Sequence, residues 1–194
     1  MPQLVFATNN PHKIAEIKAQ LGDAYQFLSL SDIGCTEDIP ETSPTLAGNA
    51  EQKAHYVKEK YGYDCFSEDT GLEIDALGGA PGVITAHYAG PDRSATGNND
   101  KVLAEMAGKT DRTARFRTFI CLILNGEEHL FEGRCEGEIT NGPRGTDGFG
   151  YDPIFVPADG DGRAFAEMDG AGKRAMSHRA RAMTKLQDFL KAQA

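Results

Sequence analysis

The stretch TNNPHK, residues 8–13, lies between a short apolar run and a helical pattern. Asn10 is a good helix N-cap and Pro11 suits the first helical position, so neither residue requires a function. Lys13 in the first turn opposes the positive end of the helix dipole unless an anion neutralises it. From these residues alone, a phosphate site and a solvated helix cap both stay open.

The second stretch is SEDTG at 67–71, where Glu68 and Asp69 stand side by side between two β-like runs. Paired carboxylates can bind a divalent metal ion or deprotonate water. A strand would point them to opposite faces, whereas a turn at a strand end would release both. Taken alone, an ordinary surface turn is the favoured interpretation, because Asp-Thr-Gly is common turn chemistry.

The third stretch is GFGYD at 148–152, where glycines flank Phe149. Such a ring is available to stack on a nucleotide base, a contact worth ~1–3 kcal/mol. An aromatic residue that anchors a loop to the core is an equally good interpretation.

The fourth stretch is KRAMSHRAR at 173–181. Ser177 is a plausible N-cap, and His178 and Arg179 then place positive charge in the first helical turn, against the dipole preference. A solvated basic face explains Arg181 better than it explains His178 and Arg179.

Together these stretches suit a nucleoside triphosphate with a divalent ion. Lysines would meet the phosphates, carboxylates would hold metal and water, an aromatic ring would stack on the base, and a His-Arg pair would read its edge. The Walker A pattern G-x-x-x-x-G-K-[ST] does not occur in the sequence, so a P-loop enzyme is excluded.

Strand-like and helix-like segments alternate along the chain, which predicts an α/β fold in one domain over residues 1–194. The 11–21 helix should bury Ile14, Ile17 and Leu21, and the turn Asn125-Gly126 predicts a β-hairpin. The predicted strands are 3–7, 27–30, one on either side of the polar centre of 65–77, 113–124, 127–139 and 154–157. The predicted helices are 11–21, 45–61, 97–107 and 177–192.

Composition narrows the function classes. The chain has 194 residues and a net charge of −9, which disfavours general nucleic-acid binding. No apolar run approaches the ~20 residues of a membrane helix, and the first residues lack a secretory pattern. The four cysteines are scattered without a CxxC pair, which argues against a zinc site and favours a reduced, cytosolic protein.

At these residues the chain resembles the inosine triphosphate pyrophosphatase family along nearly its whole length. The resemblance rests on the ordered stretches FATNNPHK, SEDTGLEIDALGGAPGV, GFGYDP and KRAMSHR. It implies an elongated, twisted mixed sheet flanked by helices, with two lobes and an active-site cleft. It also implies a cytoplasmic homodimer that uses Mg²⁺ to cleave ITP, dITP and XTP to the monophosphate and pyrophosphate.

The resemblance also assigns roles to individual residues. Asp69 becomes the catalytic base and a metal ligand, with Glu41 and Glu68 as further candidates for the metal. Phe149 becomes the base-stacking residue, and Lys13 and Lys173 become phosphate ligands. The implied substrate-binding residues are Thr8, Asn9, Asn10, Pro11, His12, Lys13, Thr70, Phe149, Gly150, Tyr151, Asp152, Lys173, His178 and Arg179.

The sequence departs from the family pattern at Asn9, Glu68 and His87, where glycine, aspartate and arginine are usual. The changes at Glu68 and His87 leave open a non-catalytic nucleotide-binding module, and two further functions stay open independently of them. One is a pyrophosphatase for modified pyrimidine nucleotides. The other, an acidic Mg²⁺- or Ca²⁺-binding domain, lacks EF-hand-like spacing.

Overall fold

A computed structural model describes residues 1–18 and 24–193 and contains a mixed, six-stranded sheet in the order β2-β1-β3-β4-β5-β6. β1 is parallel to β2 and β3, whereas β6 is antiparallel to β5. The predicted α/β class with a mixed sheet flanked by helices is confirmed. The strands are β1 Gln3–Phe6, β2 Gln26–Leu28, β3 Cys65–Ile74, β4 Thr113–Leu124, β5 Glu127–Ile139 and β6 Phe155–Pro157.

The helices follow their capping signals. Thr45 accepts a hydrogen bond from Gly48 N at 3.0 Å, and Gly62 ends that helix in the left-handed conformation, at φ 79°. Ser94 starts the third helix two residues earlier than predicted. The fourth, a short helix capped by Asp169, was not predicted. The helices are α1 Pro11–Lys18, α2 Leu46–Tyr61, α3 Ala95–Met106, α4 Gly170–Arg174 and α5 His178–Gln193.

Several predicted details of these elements are confirmed. Asn125 and Gly126 have φ values of 53° and 83°, as a tight hairpin turn between β4 and β5 requires. The inward residues predicted for the last helix are buried in α5: Met183, Leu186 and Leu190. Of the face predicted for the first helix, Ile14 packs against buried residues, and Leu21 lies outside the described residues.

The chain separates into two compact units, each with its own core. The first unit comprises Met1–Asp69, Thr118–Glu132 and Ala182–Ala194, and the second comprises Thr70–Arg117 and Gly133–Arg181. β3, β4 and β5 each run from one unit into the other. The core of the second unit includes Phe155 and Phe165, both fully buried. The cleft implied by the family resemblance stays a prediction.

One local expectation is wrong. SEDTG was favoured as a surface turn, but β3 continues without a break through it, and Ser67 and Glu68 are fully buried. The reason is tertiary pairing: β3 lies beside both β1 and β4, so a central strand covers polar residues that local turn chemistry would expose.

Candidate functional site

The start of α1 is built as the sequence predicts. The Asn10 side chain accepts hydrogen bonds from His12 N at 3.0 Å and Lys13 N at 3.3 Å, so it is the N-cap. Thr8 Oγ1 accepts from Asn10 N at 3.1 Å, which fixes the turn that precedes the cap. Asn9, Pro11 and His12 are exposed, and Lys13 is half-buried.

The register of β1 and β3 brings this helix start to the carboxylates. Val5 lies opposite Cys65, and Ala7 N donates to Phe66 O at 2.8 Å, so residues 8–13 leave the sheet beside Glu68. β1 lies between β2 and β3, so the strands that follow it are added on opposite sides of β1. Ligands of open α/β sheets bind at such a switch in strand order. Lys13 Nζ lies 2.5 Å from Glu68 Oε1.

Lys53 on α2 completes this group, and sequence reasoning missed it. Its Nζ donates to Glu68 O at 2.7 Å and lies 3.0 Å from Glu41 Oε1 and 3.9 Å from Asp69 Oδ1. The available signal was its position on the buried stripe of α2, three residues after Ala50 and four before Val57. A lysine in such a place requires a buried partner.

Burial raises the pKa of the Asp69 carboxyl, while the positive charges of Lys53 and Lys13 oppose that shift. Glu41 and Glu68 add negative charge and act in the same direction as burial. The predicted residues Lys13, Glu41, Glu68 and Asp69, together with Lys53, therefore form one electrostatic group within the first unit.

The donor set of this group suits Mg²⁺. Among residues 1–18 and 24–193, no three acidic, histidine or cysteine side chains are grouped as ready metal ligands. Mg²⁺ does not require such a cage, because it is usually held by one or two carboxylates together with phosphate oxygens and water. Asp69 Oδ2 is buried and accepts no hydrogen bond from the described residues, so it is a suitable oxygen ligand.

In the second unit, the GFGYD loop gathers the predicted aromatic and basic residues. Lys173 Nζ lies 4.5 Å from the centre of the Phe149 ring, and Arg179 Cζ lies 5.5 Å from it. The ring is half-buried. Lys173 is itself buried and pairs with Asp152 Oδ2 at 2.7 Å, so an ion pair fixes one end of the loop.

The loop requires glycine at 148. Gly148 has φ +76°, and a Cβ there would lie 2.1 Å from Asp152 Oδ2. The same carboxylate oxygen accepts a hydrogen bond from Phe149 N at 3.0 Å. Asp152 therefore shapes the loop at the position where the resemblance implies substrate contact.

His178 and Arg179 are buried at the start of α5. Ser177 Oγ accepts from Ala180 N at 3.1 Å, which confirms the predicted cap. The His178 ring stacks on Phe116 with 4.6 Å between centres, and Arg179 Nη2 lies 3.5 Å from Thr70 Oγ1. Both basic residues thus belong to the interior of the second unit, unlike the surface that a solvated basic face would require.

The residue pattern of the Ham1 family matches residues 4–189. The chain belongs to the Ham1 family. It is 52% identical over 189 residues to the dITP/XTP pyrophosphatase of Flavobacterium psychrophilum, with 97% of this chain and 99% of that protein covered. The dITP/XTP pyrophosphatase of Bacillus subtilis is 44% identical over 196 residues, with 99% and 98% covered.

A solved structure supports the membership. The HAM1 protein of Coxiella burnetii superposes with a TM-score of 0.92 at 36% identity, covering 99% of this chain and 100% of that one. The Ham1 match spans every site residue described above. The roles of those residues stay predictions, which the geometry supports to different degrees.

Proposed function

We propose that this chain hydrolyses ITP, dITP and XTP to the nucleoside monophosphate and pyrophosphate, which keeps deaminated purines out of DNA and RNA. One observation carries the proposal: in the first unit, the carboxylates of Glu68 and Asp69, in the middle of β3, meet Lys13 and Lys53 beside the carboxyl end of β1. Relatives named dITP/XTP pyrophosphatase, similar over nearly the full chain, support this substrate class.

In this proposal Asp69 orients the attacking water and takes its proton. Burial raises the Asp69 pKa, which makes the ionised carboxylate a stronger base than an exposed aspartate. Lys53 and Lys13 keep a usable fraction of it ionised. The same two lysines then stabilise the charge that develops on the departing pyrophosphate.

Asp69, with Glu41 or Glu68, would hold the Mg²⁺ ion. When bound, Mg²⁺ supplies charge neutralisation and polarisation of the phosphate oxygens. Lys13 and Lys53 contact these carboxylates and would turn to the triphosphate when substrate enters.

Residues of the second unit would select the purine. Phe149 stacks on the base, and His178 and Arg179 donate hydrogen bonds to the 6-oxo group that hypoxanthine and xanthine share. A 6-amino group, as in ATP, would leave these buried donors unpaired, which is a costly mismatch. Lys173 would leave Asp152 for a phosphate oxygen.

The deciding experiment measures pyrophosphate release from ITP, XTP, GTP and ATP, with Mg²⁺ and with EDTA. We expect turnover of ITP and XTP only with Mg²⁺. ATP turnover equal to that of ITP would overturn the selectivity, and ITP binding without pyrophosphate release would favour a non-catalytic module. Modified UTP and CTP as further substrates test the pyrimidine alternative.

Asp69→Asn is the inactive control, with an expected loss of at least about 100-fold in kcat. In EDTA at neutral pH its thermal midpoint should equal or exceed that of the parent protein. Because burial raises the pKa of Asp69, the ionised carboxyl costs the folded state free energy. The difference in thermal midpoint between Asp69→Asn and the parent protein should narrow as the pH falls through the raised pKa of Asp69 towards the ordinary aspartate pKa of about 3.9.

The proposal includes a cytoplasmic homodimer. All four cysteines lie in the described part of the chain, and each is a buried free thiol, as a reducing compartment permits. No described helix is long and apolar enough to cross a membrane. Light scattering of the purified protein tests the dimer directly.

A further inference from the structure

Two consecutive asparagines on α3 are buried, although amide side chains are mostly exposed in proteins. Asn98 Oδ1 accepts from Ala89 N at 2.7 Å, and its Nδ2 donates to Ala86 O at 3.1 Å. Asn98 thereby holds the segment that follows Gly82. Asn99 is 8% exposed and turns to a different segment.

Asn99 contacts the GFGYD loop. Its Nδ2 donates to Gly150 O at 3.1 Å, across 51 positions of sequence. Its Oδ1 is buried and accepts no hydrogen bond from the described residues. A buried amide whose oxygen accepts no hydrogen bond is a poor choice for stability alone, because a leucine of similar volume avoids burying that acceptor. Donation to Gly150 O is therefore what the amide contributes.

The loop needs such a contact. Gly148 and Gly150 both have positive φ, at 76° and 59°, so its backbone has little intrinsic rigidity. Asp152 and Lys173 hold one end, and the Tyr151 hydroxyl donates to Thr85 O at 2.6 Å. Asn99 holds the carbonyl of Gly150, the residue that follows Phe149.

We propose that Asn99 is a positioning residue: through Gly150 it holds the 148–152 loop, and with it the Phe149 ring, ready to receive a purine base. This inference rests on the proposed function in taking the ring as the base platform. Asn99 acts on substrate through the loop and takes no part in the cleavage chemistry.

Loop order can be measured without nucleotide. Because the chain contains no tryptophan, Phe149→Trp places a single tryptophan in the loop, and acrylamide quenching of its fluorescence reports its exposure. We compare Asn99→Leu and Asn99→Asp, which remove the donor at similar volume, with Val102→Ala. Val102 lies on the same helix and is fully buried in the core, so its truncation supplies a comparable destabilisation without removing a hydrogen bond to the loop.

Both Asn99 variants should raise the equilibrium constant for loop opening about 2- to 10-fold, the effect of losing one ordinary hydrogen bond. The quenching constant should rise with the population of open loop, while Val102→Ala leaves it unchanged. With Phe149 intact, both Asn99 variants should raise the KM for ITP by a similar factor with kcat within about twofold, as expected when only ground-state binding is lost. Val102→Ala should lower the thermal midpoint and leave both KM and kcat unchanged.

The proposal is overturned if quenching is unchanged in a folded Asn99 variant, or if Val102→Ala raises it equally. Failure of both Asn99 variants to fold would make the residue structural and would also overturn the proposal. If the parent protein releases no pyrophosphate from ITP, the proposed function fails, whereas the quenching result still decides whether Asn99 orders the loop.

Discussion

At the residue scale, one departure of this chain from the pattern it resembles is glutamate at 68. Glu68 is fully buried, and its carboxylate lies 2.5 Å from Lys13 Nζ. The extra methylene group lets this side chain extend towards the lysine. In the proposed function Lys13 must leave that partner before it binds a phosphate, so the ion pair would compete with substrate.

Glu68→Asp should therefore lower the KM for ITP. The shorter carboxylate retracts from Lys13 and weakens the competing ion pair, and a change of ~0.5–1 kcal/mol corresponds to a fall of about 2- to 5-fold. Glu73→Asp is the matched control, because it shortens a glutamate on the same strand that pairs with Arg117 at 3.2 Å. Steady-state kinetics in which Glu68→Asp leaves KM unchanged or raises it would contradict the competition.

At the element scale, the first turn of α1 shows what a sequence can establish about a site. Asn10, Pro11 and the following positions carry a local signal, since capping depends on residues two or three apart. The same holds for the Asn125-Gly126 turn and for Ser177. Local chemistry is sufficient where the contacts are local.

β3 shows what local chemistry could not supply. The SEDTG stretch has turn-forming residues, and only its pairing beside β1 and β4 makes it a buried strand. Lys53 was not predicted as a site residue for a related reason. Its partners Glu41 and Glu68 are distant in sequence, and the sequence does not give the placement of α2 against β3. The amide of Asn99 belongs to the same class, since Gly150 lies 51 positions away.

The N-cap of α1 can be separated from any contact with substrate. Asn10→Asp should keep the thermal midpoint, because aspartate caps as well as asparagine, but it should raise the KM for ITP by placing a negative charge beside the triphosphate. Asn10→Ala should lower stability by about 1 kcal/mol and disturb the approach of Lys13. Melting curves and kinetics on both variants give the comparison, and an Asp variant with unchanged KM would remove residue 10 from the phosphate site.

At the scale of the whole molecule, the proposed function requires an acidic chain to bind a polyanionic small molecule. Local positive charge must therefore offset the net negative charge. The net charge of −9 opposes general binding to nucleic acid, whereas Lys13, Lys53 and Lys173 place positive charge at buried or half-buried positions. Lys13 and Lys53 lie in the first unit and Lys173 in the second. The proposed function therefore calls on residues of both units.

The strands that the two units share predict cooperative unfolding. β3, β4 and β5 belong to both units, so neither unit retains its sheet if the other unfolds. Val57→Ala and Val102→Ala make the same truncation at fully buried helical positions, one in each unit. Each should cost about 2 kcal/mol and lower the thermal midpoint by roughly 4–8 °C. Calorimetry should show one transition in the parent protein and in both variants, with equal calorimetric and van't Hoff enthalpies for a monomeric transition. A variant that shifts one of two separate transitions would show that the units fold independently and would contradict a single domain.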